Sequence, residues 1–316
     1  MTSTTTLTLR LSSALPALIT AAGARARTRY VEFFAAEIRN PNTRIAYLHA
    51  VEQFLDWMET LGVDLLGVAP VHVAAHIEQL CTVRSAPTVK QHLAALRSLF
   101  DYLVIGQVMP FNPAAAVRGP KYSVREGKTP ILSAEETRQL FGQFDPALLS
   151  DVRDRAIIAV MVYSFARVSA VINLRMKDYQ RHGAKAWLAL DEKGGKHNRV
   201  PAHHQAIEYI EDYLQKSGVA QTRESPLFRS LTHRGTVLSD RALRRENVYH
   251  MIRRRVVDAG IGCHSFRGTG ITNFLENGGT LESAARIASH ASTETTQLYD
   301  RRNSTIDQGE IERIRF

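Results

Sequence analysis

Residues 264–302 read HSFRGTGITNFLENGGTLESAARIASHASTETTQLYDRR and gather His264, Arg267, His290 and Tyr299 in one short span. His264 and Arg267 are three apart, so on a helix both side chains point to the same side. A tyrosine hydroxyl, with a pKa of about 10, is a poor nucleophile until its proton is removed or its anion is met by cations. Arginine and histidine can offset charge that builds on the non-bridging oxygens of a phosphate ester. Taken alone, the span reads equally as a helical hairpin with polar residues on its surface. H-x-x-R is a weak motif. Gly268 and Gly270 follow it, poor helix formers that allow close approach of another backbone or a ligand.

Two further cations stand upstream. Arg167 lies in SFARVSAVINL, between Phe165, Ala166, Val168 and Val171. An arginine there is costly to bury without an anionic partner, or it snorkels from a helix end. Lys193 stands just before Gly194-Gly195, where most lysines are simply solvated. The sequence offers no carboxylate set for magnesium and no Gly-rich phosphate loop. His197, His203 and His204 read as neighbouring surface histidines rather than a metal cluster. Cys81 and Cys263 are far apart and match no metal spacing, which fits a reduced cytosol. The expectation is a cytoplasmic protein with no cofactor and no metal.

These residues need elements to hold them. Apolar periodicity predicts helices over 28–38, from Asn42 or Thr43 to about 61, over 71–80 and from about 87 to 106, a small all-α bundle. Ser133 to Glu136 is a capping box opening a new helix. Residues 151–163 are strongly apolar and helical. AWLALDEKGGKHNRVPAH alternates around Gly194-Gly195 and predicts a β-hairpin. Helices are expected again over 204–214, 241–258 and through the opening span. The fold class is therefore mainly α, with a helical N-terminal bundle and an α+β second domain holding a small antiparallel hairpin or three-stranded sheet. Residues 1–22 lack a basic start followed by an apolar core and read as a disordered arm. The bundle is assigned to 23–112, a proline-, glycine- and basic-rich linker to 113–130, and the second domain to 131–316.

No apolar run is long enough to span a bilayer, so no membrane partner is expected. The formal charge is +9. Residues 1–120 hold 10 Lys and Arg against 8 Asp and Glu, and residues 121–316 hold 30 against 23. The excess lies mainly in the half carrying the histidines and the tyrosine, which suggests a polyanionic partner.

FARVSAVINL, DEKGGKHNRVP, HSFRGTG and ASHASTETTQLYDRR, in that order and at these separations, resemble the catalytic domain of the tyrosine recombinases, the phage-integrase family. NTRIAYLHAVEQFLDWMETLG and PTVKQHLAALRSLFDYLV resemble that family's SAM-like core-binding domain. The resemblance spans about residues 28–302. It implies catalytic roles for Arg167 and Lys193, for His264 and Arg267 as the H-x-x-R pair, for His290, and for Tyr299 as nucleophile. It implies cutting of double-stranded DNA through a 3′-phosphotyrosine link, strand exchange within a synaptic homo-tetramer, and a mobile-element origin, with dimer resolution as another setting. A type IB topoisomerase and a non-catalytic DNA-binding regulator are the rival readings. Ala170 departs from the pattern where a carboxylate often supports the first arginine. Ala166 and Ser289 stand where leucine and glycine are common. The sparse apolar set Ile306, Ile311, Ile314 and Phe316 is expected to dock on a neighbouring protomer.

Overall fold

A computed structural model describes residues 15–122, 127, 129–192, 195–218, 222–232, 236–256, 258 and 260–301. Lys193 and the apolar tail set lie outside the described residues. The chain divides into two compact units, Met1–Ser123 and Val124–Phe316.

The first unit holds α1 (Ala17–Ala21), α2 (Ala24–Glu32), α3 (Pro41–Thr60), α4 (Pro70–Val83) and α5 (Ala86–Ile105). Prolines in the first turn start α3, α4 and α5, where the missing N–H would be unpaired anyway. Asn40, rather than Asn42 or Thr43, caps α3, its side chain accepting from the N–H groups of both. Phe33, Phe34, Phe54, Leu96 and Phe100 are fully buried at the centre of this unit.

Three expectations for this unit change. Residues 17–21 are helical rather than part of an arm, because Leu18 and Ile19 are buried in the core. The helix expected over 28–38 gives way to a π-helical turn at Phe33–Glu37, with the Ile38 N–H reaching the Phe33 carbonyl. Residues 113–117, expected as linker, pack on this core through Ala114 and Val117. The Arg97 guanidinium donates to both of their carbonyls, which removes the main obstacle to burying irregular backbone.

In the second unit the Ser133–Glu136 capping box forms with both reciprocal bonds and starts α6 (Ala134–Gly142). Next come α7 (Leu149–Tyr163) and α8 (Val168–Ile172), then the antiparallel strands β1 (Tyr179–His182), β2 (Lys185–Glu192) and β3 (Lys196–Pro201) in the order β1-β2-β3. The strands are followed by α9 (His204–Ser217), the pair β4 (Arg229–Thr232) and β5 (Val237–Ala242), α10 (Arg245–Arg255), α11 (Cys263–Glu276), α12 (Leu281–Ile287) and α13 (Thr293–Gln297). The helix expected over 241–258 is a strand up to Ala242 and a helix only from Arg245. In β4 and β5 only Arg229 is buried, so they carry no alternating apolar signature to read.

Helix α7 is the spine of this unit. Ala156, Ile158, Ala159, Val160 and Met161 are fully buried, and α9 and α11 pack against it. α11 approaches so closely that a Cβ on Gly270 would lie 1.9 Å from the Val162 carbonyl oxygen. This contact fixes the helix that carries His264 and Arg267.

Candidate active site

Arg167 is the N-cap residue of α8. The chain reaches it through Phe165, which has a φ of 54°, a left-handed conformation that a bulky residue adopts at a cost of about 1–2 kcal/mol. The Phe165 carbonyl accepts from one terminal nitrogen of Arg267. The other terminal nitrogen donates to the Ala288 carbonyl at 2.6 Å. Ser289, directly after Ala288, is also left-handed at φ 52°. Two strained turns thus aim their carbonyls at one guanidinium. Glycine would adopt the second turn without strain, and nothing in the structure explains the serine that stands there.

Arg267 is 0% exposed, and its Nε has no partner. Each terminal nitrogen thus spends one of its two N–H groups on a backbone carbonyl. Burial, and then the nearby charge of Arg167, push the Arg267 pKa down to about 10, so it stays a cation at neutral pH. The Arg167 side chain is 30% exposed and can meet a ligand from solvent.

Sequence reasoning missed Glu192. It ends β2, and its side chain, 2% exposed, pairs with Arg167 through Oε2 and lies 4.0 Å from Arg267 through Oε1. The signal was available: Ala186, Leu188 and Leu190 are the buried positions of β2, and the same period of two reaches Glu192.

His264 lies in the first turn of α11, and its Nε2 is 2.7 Å from the Tyr299 hydroxyl. Desolvation, then the charges of Arg267 and Arg167, lower the His264 pKa, so the imidazole is neutral at pH 7, and in the tautomer protonated on Nδ1 its Nε2 accepts from the phenol. Tyr299 is 8% exposed. Its ring faces the His290 ring at 6.1 Å between centroids, 13° from parallel. Gly268 makes room: a Cβ there would meet Tyr299 Cε1 at 3.2 Å. Burial raises the Tyr299 pKa, while Arg267 and Arg167 pull against that rise. His290 Nδ1 bonds the buried Thr296 hydroxyl at 2.8 Å, and burial with the two arginines takes its pKa down to about 4.

Arg167, His264, Arg267, His290 and Tyr299 thus surround one spot in the second unit. Ala170 is buried and holds no carboxylate there, and Ala166 is buried beside Arg167. The three histidines set aside as surface residues lie elsewhere: His197 pairs with Asp191, and His203 stacks on Tyr163 at 4.2 Å beside His204.

Residues 130–305 match the phage integrase family, and residues 28–106 match the phage integrase N-terminal SAM-like domain. The chain belongs to the phage integrase family and is a tyrosine recombinase. Among its relatives, tyrosine recombinase XerC of Chlamydia trachomatis serovar L2 is 29% identical over 225 residues, covering 71% of this chain and 69% of the relative. Tyrosine recombinase XerC of Myxococcus xanthus is 26% identical over 265 residues, 82% of this chain and 87% of the relative. In fold, the chain resembles XerH site-specific recombinase bound to difH substrate, with a TM-score of 0.67 at 18% identity over 98% of this chain and 93% of that one. It also resembles a lambda integrase dimer bound to a COC′ core site, with a TM-score of 0.65 at 18% identity over 96% and 84%. Among the described residues, no helix is long and apolar enough to cross a membrane.

Proposed function

We propose that this chain cuts and rejoins double-stranded DNA at specific sites through a 3′-phosphotyrosine link on Tyr299. The observation that carries the reading is the 2.7 Å contact between the Tyr299 hydroxyl and His264 Nε2, beside two arginines. His264 takes the phenolic proton as the tyrosine oxygen attacks phosphorus. The bond from phosphorus to the 5′-oxygen then breaks. Lys193, a role carried by the sequence pattern alone, gives that oxygen its proton. Arg167 faces the non-bridging oxygens, and Arg267 supplies a fixed charge behind them. Preorganised groups of this kind are worth about 100–1000-fold in rate each. His290 stacks on the nucleophile's ring and limits its rotation. A 5′-hydroxyl from another strand reverses the step, and the bond energy is conserved.

The finer reading is a homo-tetramer that pairs two DNA sites in the cytoplasm, encoded by a mobile element. The basic excess of the second half supports a DNA partner held mainly through phosphates. DNA trapped on the protein in cells is sequenced, then supplied as a pair of sites on one plasmid. Exchange between the two sites is expected. Relaxation of supercoils without exchange would indicate a topoisomerase, and binding with no covalent adduct would indicate a regulator.

A further inference from the structure

A buried glutamate on the last residue of a strand needs a reason, since a buried charge left without a partner is strongly destabilising. Glu192 has two partners. One oxygen pairs with Arg167, which reaches it from the N-cap of α8, and the other faces Arg267 on α11 at 4.0 Å. The carboxylate therefore sits between the two guanidinium groups, and Arg167 stands close enough to disfavour the charge of Arg267. Nothing on α8 does this work, because the position one turn after Arg167 is Ala170, buried and apolar. Asp191, the neighbouring acid, points outward and pairs with His197.

We propose that Glu192 is the positioning residue of this site: from β2 it supplies the carboxylate absent at Ala170 and holds both arginines in register for the phosphate. The proposal rests on the recombinase reading of the site. Glu192 touches no reacting atom in this scheme. It acts through Arg167, the more exposed of the pair, which has few other anchors to fix its direction. Because Glu192 directly precedes Lys193 in the chain, the same pairing ties the strand that leads to the lysine to the arginine cluster.

The test uses the full chain and a nicked duplex of the DNA that the unmutated protein traps in cells. It is made twice, once with the normal scissile phosphodiester and once with a methylphosphonate. In the latter a methyl replaces one non-bridging oxygen, the group is neutral, and alignment of the arginines counts for less. Glu192→Gln keeps shape and removes charge. It is expected to slow adduct formation about 10–100-fold on the phosphodiester, the scale of a misplaced site group, and only a few-fold on the methylphosphonate. Glu192→Asp keeps the charge, is expected to fall between, and provides the readout if the Gln variant unfolds. An equal defect on both substrates would mean a merely structural role and would overturn the proposal. So would a Gln variant as fast as the unmutated protein, or faster, the last meaning that Glu192 occupies the phosphate's place and competes with it. No adduct from the unmutated protein on either duplex would instead remove the recombinase reading beneath the proposal.

Discussion

The Tyr299 hydroxyl and Nε2 of His264 share a hydrogen bond of 2.7 Å, with the tyrosine buried and the histidine neutral. On the proposed reading His264 accepts the phenolic proton, and its loss has a pH signature. Since burial raises the Tyr299 pKa, almost no phenolate forms unaided at pH 7. His264→Ala should slow adduct formation about 100–10,000-fold at pH 7, the usual range for a lost general base. The defect should shrink as pH rises towards 9.5, because more phenolate forms without help. Adduct rates of both proteins at several pH values check this. A defect that stays constant with pH would remove His264 from the proton transfer.

Backbone geometry around Arg267 gives two opposite expectations. Ser289 sits at φ 52°, where glycine has no penalty. Ser289→Gly should stabilise the second unit by about 0.5–1 kcal/mol, the relief of left-handed strain less the added freedom of the unfolded chain. Gly270→Ala puts a carbon 1.9 Å from the Val162 carbonyl, and neither backbone has room to yield. It should destabilise by at least about 1–3 kcal/mol. Urea unfolding of both variants measures the two shifts, and a stable Gly270→Ala protein would contradict the close packing of α11 on α7.

Much of this was legible in the sequence because it depends on local signals. The Ser133–Glu136 box, the apolar stripe of α5 and the alternation of β2 each sit within one element. The five described site residues were readable as a set only through the resemblance of their motifs, in order and spacing, to the phage-integrase family. What escaped was non-local. Glu192 matters only because strand and helix ends converge, and Arg267 loses its open face only because two loops present carbonyls to it. The β4–β5 pair, with little buried surface, left no apolar period. Leu18 and Ile19 looked like an arm because the helix that buries them is only five residues long.

The first unit carries its own pH dependence. His76 is buried against Phe54 and Trp57, both ring nitrogens lack partners, and burial, then the charge of His92, take its pKa down to about 4. In the unfolded chain it titrates near the ordinary value of 6.5. Unfolding therefore takes up a proton between these values. Stability is full above pH 6.5 and is lost as pH falls towards 4. His76→Phe, which leaves no unpaired polar atom, should reduce the drop in Tm between pH 7.5 and 5. An unchanged drop would show that other groups set it.

Lys193 is tested by chemistry. Lys193→Ala should cleave normal DNA very slowly. With sulfur in place of the 5′-bridging oxygen, the leaving thiol has a pKa of about 8.5 and departs readily as thiolate. The variant should then approach the unmutated rate. Arg167→Ala should show no such rescue, since its role is on the non-bridging oxygens. Failure of sulfur to rescue Lys193→Ala, or equal rescue of both, would remove the lysine as general acid.

The central claim is that Tyr299 carries the DNA. The direct measurement is to trap the protein on a nicked duplex of its cellular site, digest both components, and locate the residual nucleotide by mass spectrometry. The account predicts a 3′-phosphate ester on the peptide containing Tyr299, and no adduct at all from Tyr299→Phe, which should still bind the duplex with unchanged affinity. A nucleotide on any other residue, a 5′-linked phosphate, or an adduct formed by the Phe variant would contradict it.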